Sequence, residues 1–413
     1  MPLKVLIIHH SSNLDGSFIS LFNLLQVLPK DKVKPIVILP KRGPAYDKLK
    51  EIKIKTKIIP QGHLVYNTSE KITLFNPFAL TKILPALNLF NFFRLRHLIK
   101  KEKINLVHLN SSSLIFSALA IKIFRIPLVW HIRERIPKGI LSPFLVFLIK
   151  NSAKKIIAVS EDEAQPFQKS KKLTIIYNPV DTKYFEKIKK EDKEKIKKNL
   201  GFPLSSPLLG FIGRIHKTSG IFDLVRAIKI IKKEIPQIKI VIVGRIFSPK
   251  EIKKQRLKLF FKKILFLTKG QLEYYLEMKR LIKKNNLESN FIFLGFQKDI
   301  APIIWALDLI LCPTHLNVPG RLPLEAAFLG KPVILAHKEK KSKILLDGKT
   351  GIIIPPKRPK LLAKAVIDLI KNKEKREKMG REAEKRAKKL FSDKKISQDI
   401  LKIYQEAIKH QNG

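Results

Sequence analysis

The sequence predicts an α/β protein built as two doubly wound halves in tandem, and three observations carry that prediction. The 413 residues are enough for two or three domains. Hydrophobic residues make up 45% and charged residues 28%, which supplies buried cores and excludes wholesale disorder. Short apolar, β-branched runs alternate with longer stretches of helical period, and the alternation restarts midway along the chain. Near-continuous apolar strands separated by helices are the mark of parallel sheets covered on both faces.

In the first half, strands are expected at Leu3–Ile8, Pro35–Leu39, Ile104–Leu109, Pro127–His131, Lys155–Val159 and Leu173–Tyr177. Helices are expected at Ser17–Leu28, Phe78–Lys100, Leu114–Phe124 and Ser142–Asn151. The charged stretch Lys187–Lys198 reads as a helix, and Gly201-Phe-Pro-Leu-Ser-Ser-Pro207 as a turn at a domain junction. Strands then return at Leu208–Ile212, Ile238–Val243, Phe291–Leu294, Leu309–Cys312, Pro332–Leu335 and Gly351–Ile354. Their helices are Phe222–Glu234, Leu272–Asn285, Ile300–Ala306, Leu322–Leu329 and Lys360–Lys371. A last helical stretch, Glu374–His410, is highly charged, with Ile396, Ile400, Ile403, Tyr404 and Ala407 at helical spacing. The expected domains are residues 1–180, 181–390 and a C-terminal helix 391–413 that crosses back to the first domain, with a cleft between the halves. In such sheets ligands sit at the carboxyl ends of the strands, beside helix N-termini.

One cysteine, Cys312, excludes an intramolecular disulfide framework and a cysteine-based zinc site. Four apolar residues, Val5 to Ile8, precede His9 and His10, too few for a signal peptide, and no apolar run reaches membrane-spanning length. The expectation is a cytoplasmic protein. The 83 Lys and Arg against 34 Asp and Glu give a formal charge of +49. Such a balance suits nucleic acid, anionic lipid or phosphorylated ligands. The basic residues are spread along the whole chain, however, and no nucleic-acid motif is present, so solvated faces account for most of them.

Two stretches carry the chemistry. In Cys312-Pro-Thr-His-Leu-Asn-Val-Pro-Gly-Arg-Leu-Pro-Leu-Glu325, Gly320 frees a loop that leads into a helix. The first amides of that helix, at Gly320, Arg321 and Leu322, lack intrahelical acceptors and suit a phosphate. Glu325 lies one turn inside; an ordinary α/β loop with a solvated Glu is an equal reading. In Leu209-Gly-Phe-Ile-Gly-Arg-Ile-His-Lys-Thr-Ser-Gly220, Arg214 leaves a strand end, where a guanidinium can make bidentate contacts with a diphosphate. Lys217 follows on the loop. Taken alone, two such cations are usually just solvated.

Read in order, these pieces resemble the retaining sugar-nucleotide glycosyltransferases of family four, which have the GT-B fold of two Rossmann-like domains. The first-half matches are Val107-His-Leu-Asn110, Val129-Trp-His-Ile-Arg-Glu134, Ile157-Ala-Val-Ser-Glu161 and Ile176-Tyr-Asn-Pro-Val-Asp181. Those in the second half include Gly213-Arg214, Val243-Gly244, Pro319-Gly-Arg321, Glu325-Ala326, Gly330-Lys-Pro-Val333 and Asp347-Gly-Lys-Thr-Gly351. The resemblance implies that Arg214 neutralises the donor diphosphate, the Gly320–Leu322 amides receive phosphate oxygens and Glu325 holds the donor ribose. It further implies that His131 lies beside the transferred sugar or acceptor, and that Gly16 matches the second glycine of an N-terminal Gly-Gly loop. No metal or other cofactor is implied. The partners implied are a nucleotide sugar and a glycan or lipid-linked acceptor, with no nucleic acid.

Four positions depart from the family pattern. Ser219 stands where a lysine is usual, and Lys217 is the candidate substitute. Asn317 replaces the first of two glutamates eight residues apart, Phe18 an acidic residue, and His337-Lys-Glu-Lys-Lys-Ser-Lys343 a Gly-Gly turn. A GT-B protein without turnover, acting as a binding or scaffold subunit, is therefore the alternative function. The chain also carries extra sequence at Ser248–Lys269, where residues 250–269 hold eight basic residues against Glu251, with Leu257, Phe260, Phe261, Ile264 and Leu265 at helical spacing. A basic amphipathic helix suits an anionic membrane surface, here the inner face of the cytoplasmic membrane, and packing on the second domain is the competing reading. Phe75–His97 is a second candidate for membrane contact.

Overall fold

The computed structural model describes residues 1–62, 89–136, 141–248, 251–252, 270–316, 321–339 and 344–409. They form two compact units, Met1–Asp181 together with the segment from Phe391, and Thr182–Leu390.

The first unit is built on a seven-stranded sheet of β1 (Leu3–Ile8), β2 (Val33–Leu39), β3 (Lys55–Ile58), β4 (Leu106–Leu109), β5 (Leu128–Ile132), β6 (Lys155–Ala158) and β7 (Leu173–Ile175). The order is β3-β2-β1-β4-β5-β6-β7 and every pairing is parallel. Winding runs outward in one direction from β1 and in the other from β4, so the switch point lies between these two strands. There Ile8 pairs with Leu109, and the chain leaves both strands on the same edge. β1, β4 and β5 are apolar because helices cover both faces, and their residues are almost all buried.

The expected strands form with shifts of a residue or two at their ends. β3 and the helix Pro44–Glu51 lie outside the expected pattern. β3 reads Lys-Thr-Lys-Ile with its lysines exposed, an edge strand whose charges discourage further pairing and disguise it in sequence. Of the expected helix Phe78–Lys100, residues 78–88 lie outside the described residues, and the rest is the helix Leu89–Glu102. The helix expected at Lys187–Lys198 is instead two, Thr182–Lys189 and Lys193–Asn199. The Asp192 carboxylate accepts from the amide of Glu194 at 2.8 Å, which starts the second of them.

The second unit has six parallel strands, β8 (Leu208–Ile212), β9 (Lys239–Val243), β10 (Phe291–Gly295), β11 (Leu309–Cys312), β12 (Val333–Ala336) and β13 (Ile352–Ile354), in the order β10-β9-β8-β11-β12-β13. Its switch point lies between β8 and β11. The helix Ile221–Glu234 buries Leu224, Val225, Ile228 and Ile231 in the core of this unit. Cys312 ends β11 buried, and burial pushes its thiol up to about 12, so it packs as an inert apolar group.

The stretch Glu374–His410 divides at Ser392 into the helices Lys373–Phe391 and Asp393–Lys409, with His410 outside the described residues. The first buries Met379, Ala383 and Ala387, and nearly all of it belongs to the second unit. The next packs Ile396, Ile400, Ile403, Tyr404 and Ala407 into the first unit, against the helix Gly16–Val27 and strands β4 and β5. Each buried isoleucine there contributes on the order of 2 kcal/mol. Among the described residues no helix is long and apolar enough to cross a membrane.

Candidate functional site

In an open parallel sheet the loops that leave the two strands flanking the switch point diverge, and their backbone amides and side chains line a crevice. Each unit has such a place.

In the second unit the chain leaves β8 through Gly213 and Arg214. Gly213 has φ +156°, its amide donates to the carbonyl of Val243, and a Cβ on Gly244 would stand 2.2 Å from the Gly213 carbonyl oxygen. Two glycines therefore let adjacent strand ends close together, and the Gly213–Val243 bond ties down the backbone just before Arg214. Arg214 and Lys217 are exposed, and neither has an ion pair among the described residues. A short 3-10 turn, Lys217–Ser219, follows. His216 and Ser219 cap it reciprocally, for the Ser219 hydroxyl donates to the His216 carbonyl at 2.7 Å and accepts from its amide at 3.3 Å. The hydroxyl that stands where the family has an ammonium is thus engaged in the turn.

Gly220 then starts the helix Ile221–Glu234, with φ +75°. The loop after β11 packs directly onto this turn: the amide of His315 donates to the Thr218 carbonyl at 2.8 Å, and the Thr314 hydroxyl reaches the same oxygen at 3.3 Å. The imidazole Nε2 of His315 lies 2.6 Å from Asp223 Oδ2, and Arg226 pairs with Asp223 Oδ1 at 3.0 Å. The sequence does not show this contact between Asp223 and His315, although both fall within or beside the two informative stretches.

Asn317 and Gly320 lie outside the described residues. Arg321 caps the helix Leu322–Phe328, and its Nε donates to Glu325 Oε1 at 3.1 Å. Glu325 is buried, one turn in, so its carboxylate is held by Arg321 rather than solvated. Leu322 is the first helical residue and half-buried.

In the first unit, β1 runs into His9, β4 into Asn110, and β5 carries His131 with Arg133 just beyond its end. Arg133 is the hub: its Nε donates to Asn110 Oδ1 at 2.6 Å and its Nη1 to Asn178 Oδ1 at 2.5 Å, while Nη2 lies 3.5 Å from His131 Nδ1. Asn110 Nδ2 lies 2.9 Å from His9 Nδ1. His131 Nδ1 is 3.2 Å from His108 Nε2, and His108 Nδ1 is 2.6 Å from the Tyr404 hydroxyl. Burial first, then the Arg133 charge, pushes His108 down to about 3 and His131 in the same direction. Both rings are neutral at pH 7. Glu134 Oε2 accepts from the Ser111 and Ser112 hydroxyls and the Ser112 amide at 3.0–3.1 Å, tying the loop after β4 to the end of β5.

Gly16 is the first residue of the helix Gly16–Val27, exposed, with open space where a Cβ would project. Asp15 caps that helix by accepting from the Phe18 amide at 2.9 Å. Phe18 itself is buried, 5.9 Å ring to ring from His9, so this departure from the family pattern fills core.

Comparison with known proteins places both halves. Residues 192–386 match the profile of the glycosyl transferases group 1, and residues 14–184 that of glycosyltransferase family 4. The chain belongs to the group 1, family 4 glycosyltransferases. Among its relatives, the spore coat protein SA of Bacillus subtilis is 26% identical over 269 residues, 62% of this chain and 66% of the relative. The capsular polysaccharide biosynthesis glycosyltransferase CapM of Staphylococcus aureus is 23% identical over 280 residues, 65% of this chain and 67% of its own. The match thus spans about two-thirds of these relatives' length. Among solved structures, Anabaena HepE in complex with UDP and glucose aligns with TM-score 0.74 at 21% identity, covering 97% of this chain and 98% of its own. The fold is that of the GT-B glycosyltransferases, two parallel-sheet α/β domains.

Proposed function

We propose that this chain transfers a sugar from a nucleotide-diphosphate donor to a glycan or lipid-linked acceptor. The observation that carries the reading is Arg214, an exposed cation at a strand exit where the Gly213 amide is bonded to Val243, at the switch point of the second sheet, with no ion pair among the described residues. As the donor bond breaks, the leaving nucleoside diphosphate gains charge, and a guanidinium held in place stabilises it without reorganising. Lys217 adds a second cation, on the turn that follows. Glu325, Asn317 and the amides from Gly320 to Leu322 are the residues proposed to bind the rest of the donor. That HepE was solved with UDP and glucose supports a donor of this class.

In the first unit, His131 is proposed to meet the sugar or acceptor, and Gly16, at the start of the helix Gly16–Val27, to contribute to the donor site. Transfer with retention follows from the family resemblance, with the acceptor attacking from the leaving-group face. No metal or other cofactor is proposed. CapM, named for capsular polysaccharide biosynthesis, supports a cell-surface glycan as product. Peripheral contact with the anionic inner face of the cytoplasmic membrane is proposed through residues 248–269 or 75–97, most of which lie outside the described residues.

Thermal shift against a panel of nucleotide sugars tests the reading, because a ligand that binds the folded state raises its stability. One donor should stabilise the chain and be consumed slowly. Stabilisation without transfer to any extract acceptor would favour a binding or scaffold subunit, and no stabilisation by any donor would overturn both.

A further inference from the structure

The hydrogen bonds around His131 determine where its proton resides, and they begin on the C-terminal helix. His131 is 3% exposed, and its Nε2 is buried with no hydrogen-bond partner among the described residues. Its Nδ1 faces His108 Nε2 at 3.2 Å and Arg133 Nη2 at 3.5 Å. A guanidinium has no acceptor, so the Arg133 contact, at the outer limit of hydrogen-bond distance, biases His131 Nδ1 toward accepting and the ring proton toward Nε2 without fixing it alone.

The other end of the chain of contacts gives the same answer. The Tyr404 hydroxyl is buried, and His108 Nδ1, 2.6 Å away, is its one hydrogen-bond partner among the described residues. A buried phenol with a single neighbour that can accept donates its proton to it. His108 therefore accepts at Nδ1, carries its proton on Nε2 and donates to His131 Nδ1. Both ends favour one direction.

His9 repeats the pattern. Because Arg133 donates to Asn110 Oδ1, the amide group of Asn110 turns its Nδ2 toward His9 Nδ1, and the His9 proton is left on Nε2. That Nε2 is likewise buried without a partner among the described residues.

We propose that Tyr404 is a positioning residue which, through His108, holds His131 as a neutral Nε2–H donor for an oxygen of the sugar or acceptor. The proposal rests on the reading that His131 meets substrate, and it assigns His131 hydrogen-bond donation rather than proton abstraction. Burial and the Arg133 charge keep the ring neutral, in keeping with that role.

Long-range proton–nitrogen spectra of the full chain labelled with 15N-histidine report each tautomer directly, with His131→Gln and His108→Gln assigning the signals. The wild type should show both rings protonated on Nε2 alone at neutral pH; an Nδ1–H signal from His131 would overturn the proposal. Tyr404→Phe should introduce the second tautomer at His108 and lower the Nε2–H fraction at His131. Unchanged single signals from both rings in that variant would remove Tyr404 from the role. His108→Gln, whose amide can still donate to His131, should keep the wild-type His131 signal, whereas His108→Leu should not. Transfer from UDP-glucose tests the underlying reading separately: His131→Leu should lose roughly ten- to a hundredfold and His131→Gln less. Full activity in His131→Leu with the tautomers as stated would sink the substrate contact and leave the relay standing.

Discussion

Gly220 lies so close to Pro313 that a Cβ on it would stand 1.7 Å from the Pro313 carbonyl oxygen. This contact joins the loop after β8 to the loop after β11, so Arg214 and the residues leading to Asn317 are held by one backbone seam. A side chain at position 220 would meet both that oxygen and the strain of φ +75°.

Gly220→Ala should therefore destabilise the chain by about 3 kcal/mol or more, since backbone on both sides must move. Urea unfolding measures it. A change under about 1 kcal/mol would mean the seam yields freely.

Arg214→Ala should weaken binding of nucleoside diphosphates, measured by calorimetry, by about 1.5–3 kcal/mol. Lys217→Ala should have a smaller effect, because an ammonium on a long stem cannot make the bidentate contact that a guanidinium makes with a diphosphate. Equal, small losses from both would remove Arg214 from the site.

Acid should unfold the first unit early. The folded state holds His108 at about 3, against an ordinary value near 6.5, so below pH 6.5 the unfolded chain binds a proton that the folded chain refuses. Stability is thus intact at neutral pH and is lost as pH falls from about 6.5 toward 3. His108 alone removes about 2 kcal/mol between about pH 7 and pH 5, and His9 and His131 add in the same direction. His108→Gln should flatten the acid limb of a stability–pH curve; an unaltered limb would contradict the assignment.

Glu163 behaves in the opposite sense. Burial raises its carboxyl to about 7, against the Ser160 hydroxyl, which donates to it. The folded state keeps this proton longer than the unfolded chain, so stability falls as pH rises from about 4.5 through 7. Glu163→Gln should be near neutral in acid and stabilising by on the order of 2–3 kcal/mol above pH 7, as read by chemical denaturation.

Much of the architecture was legible because buried parallel strands must be apolar along their whole length, as in Val5–Ile8 or Ile240–Val243. β3 was missed for the converse reason, since an edge strand with Lys55 and Lys57 outward has no apolar run to detect. The breaks at residues 190–192 and at Ser392 were hidden because a charged stretch shows little change in composition across an interruption of one to three residues. Arg214 and Glu325 were singled out from their two stretches and given roles by the family resemblance, but the bond between Arg321 and Glu325 is visible only in the folded chain. His108, Asn110 and Arg133 stood inside the matched blocks without a role, because their roles come from a network joined by Tyr404, almost three hundred positions away in sequence.

The helix Asp393–Lys409 also sets an order of events during synthesis. Its apolar face completes the core of the first unit, yet a ribosome makes it only after the entire second unit has emerged. Until then the nascent first unit leaves the surfaces of β4, β5 and the helix Gly16–Val27 that meet Ile396, Ile400 and Tyr404 open to water or to a chaperone. A fragment ending near Asp181 should therefore aggregate when expressed alone and recover solubility when residues 391–413 are supplied in trans. The opposite division, Thr182–Leu390, carries its own closed core and should fold without help.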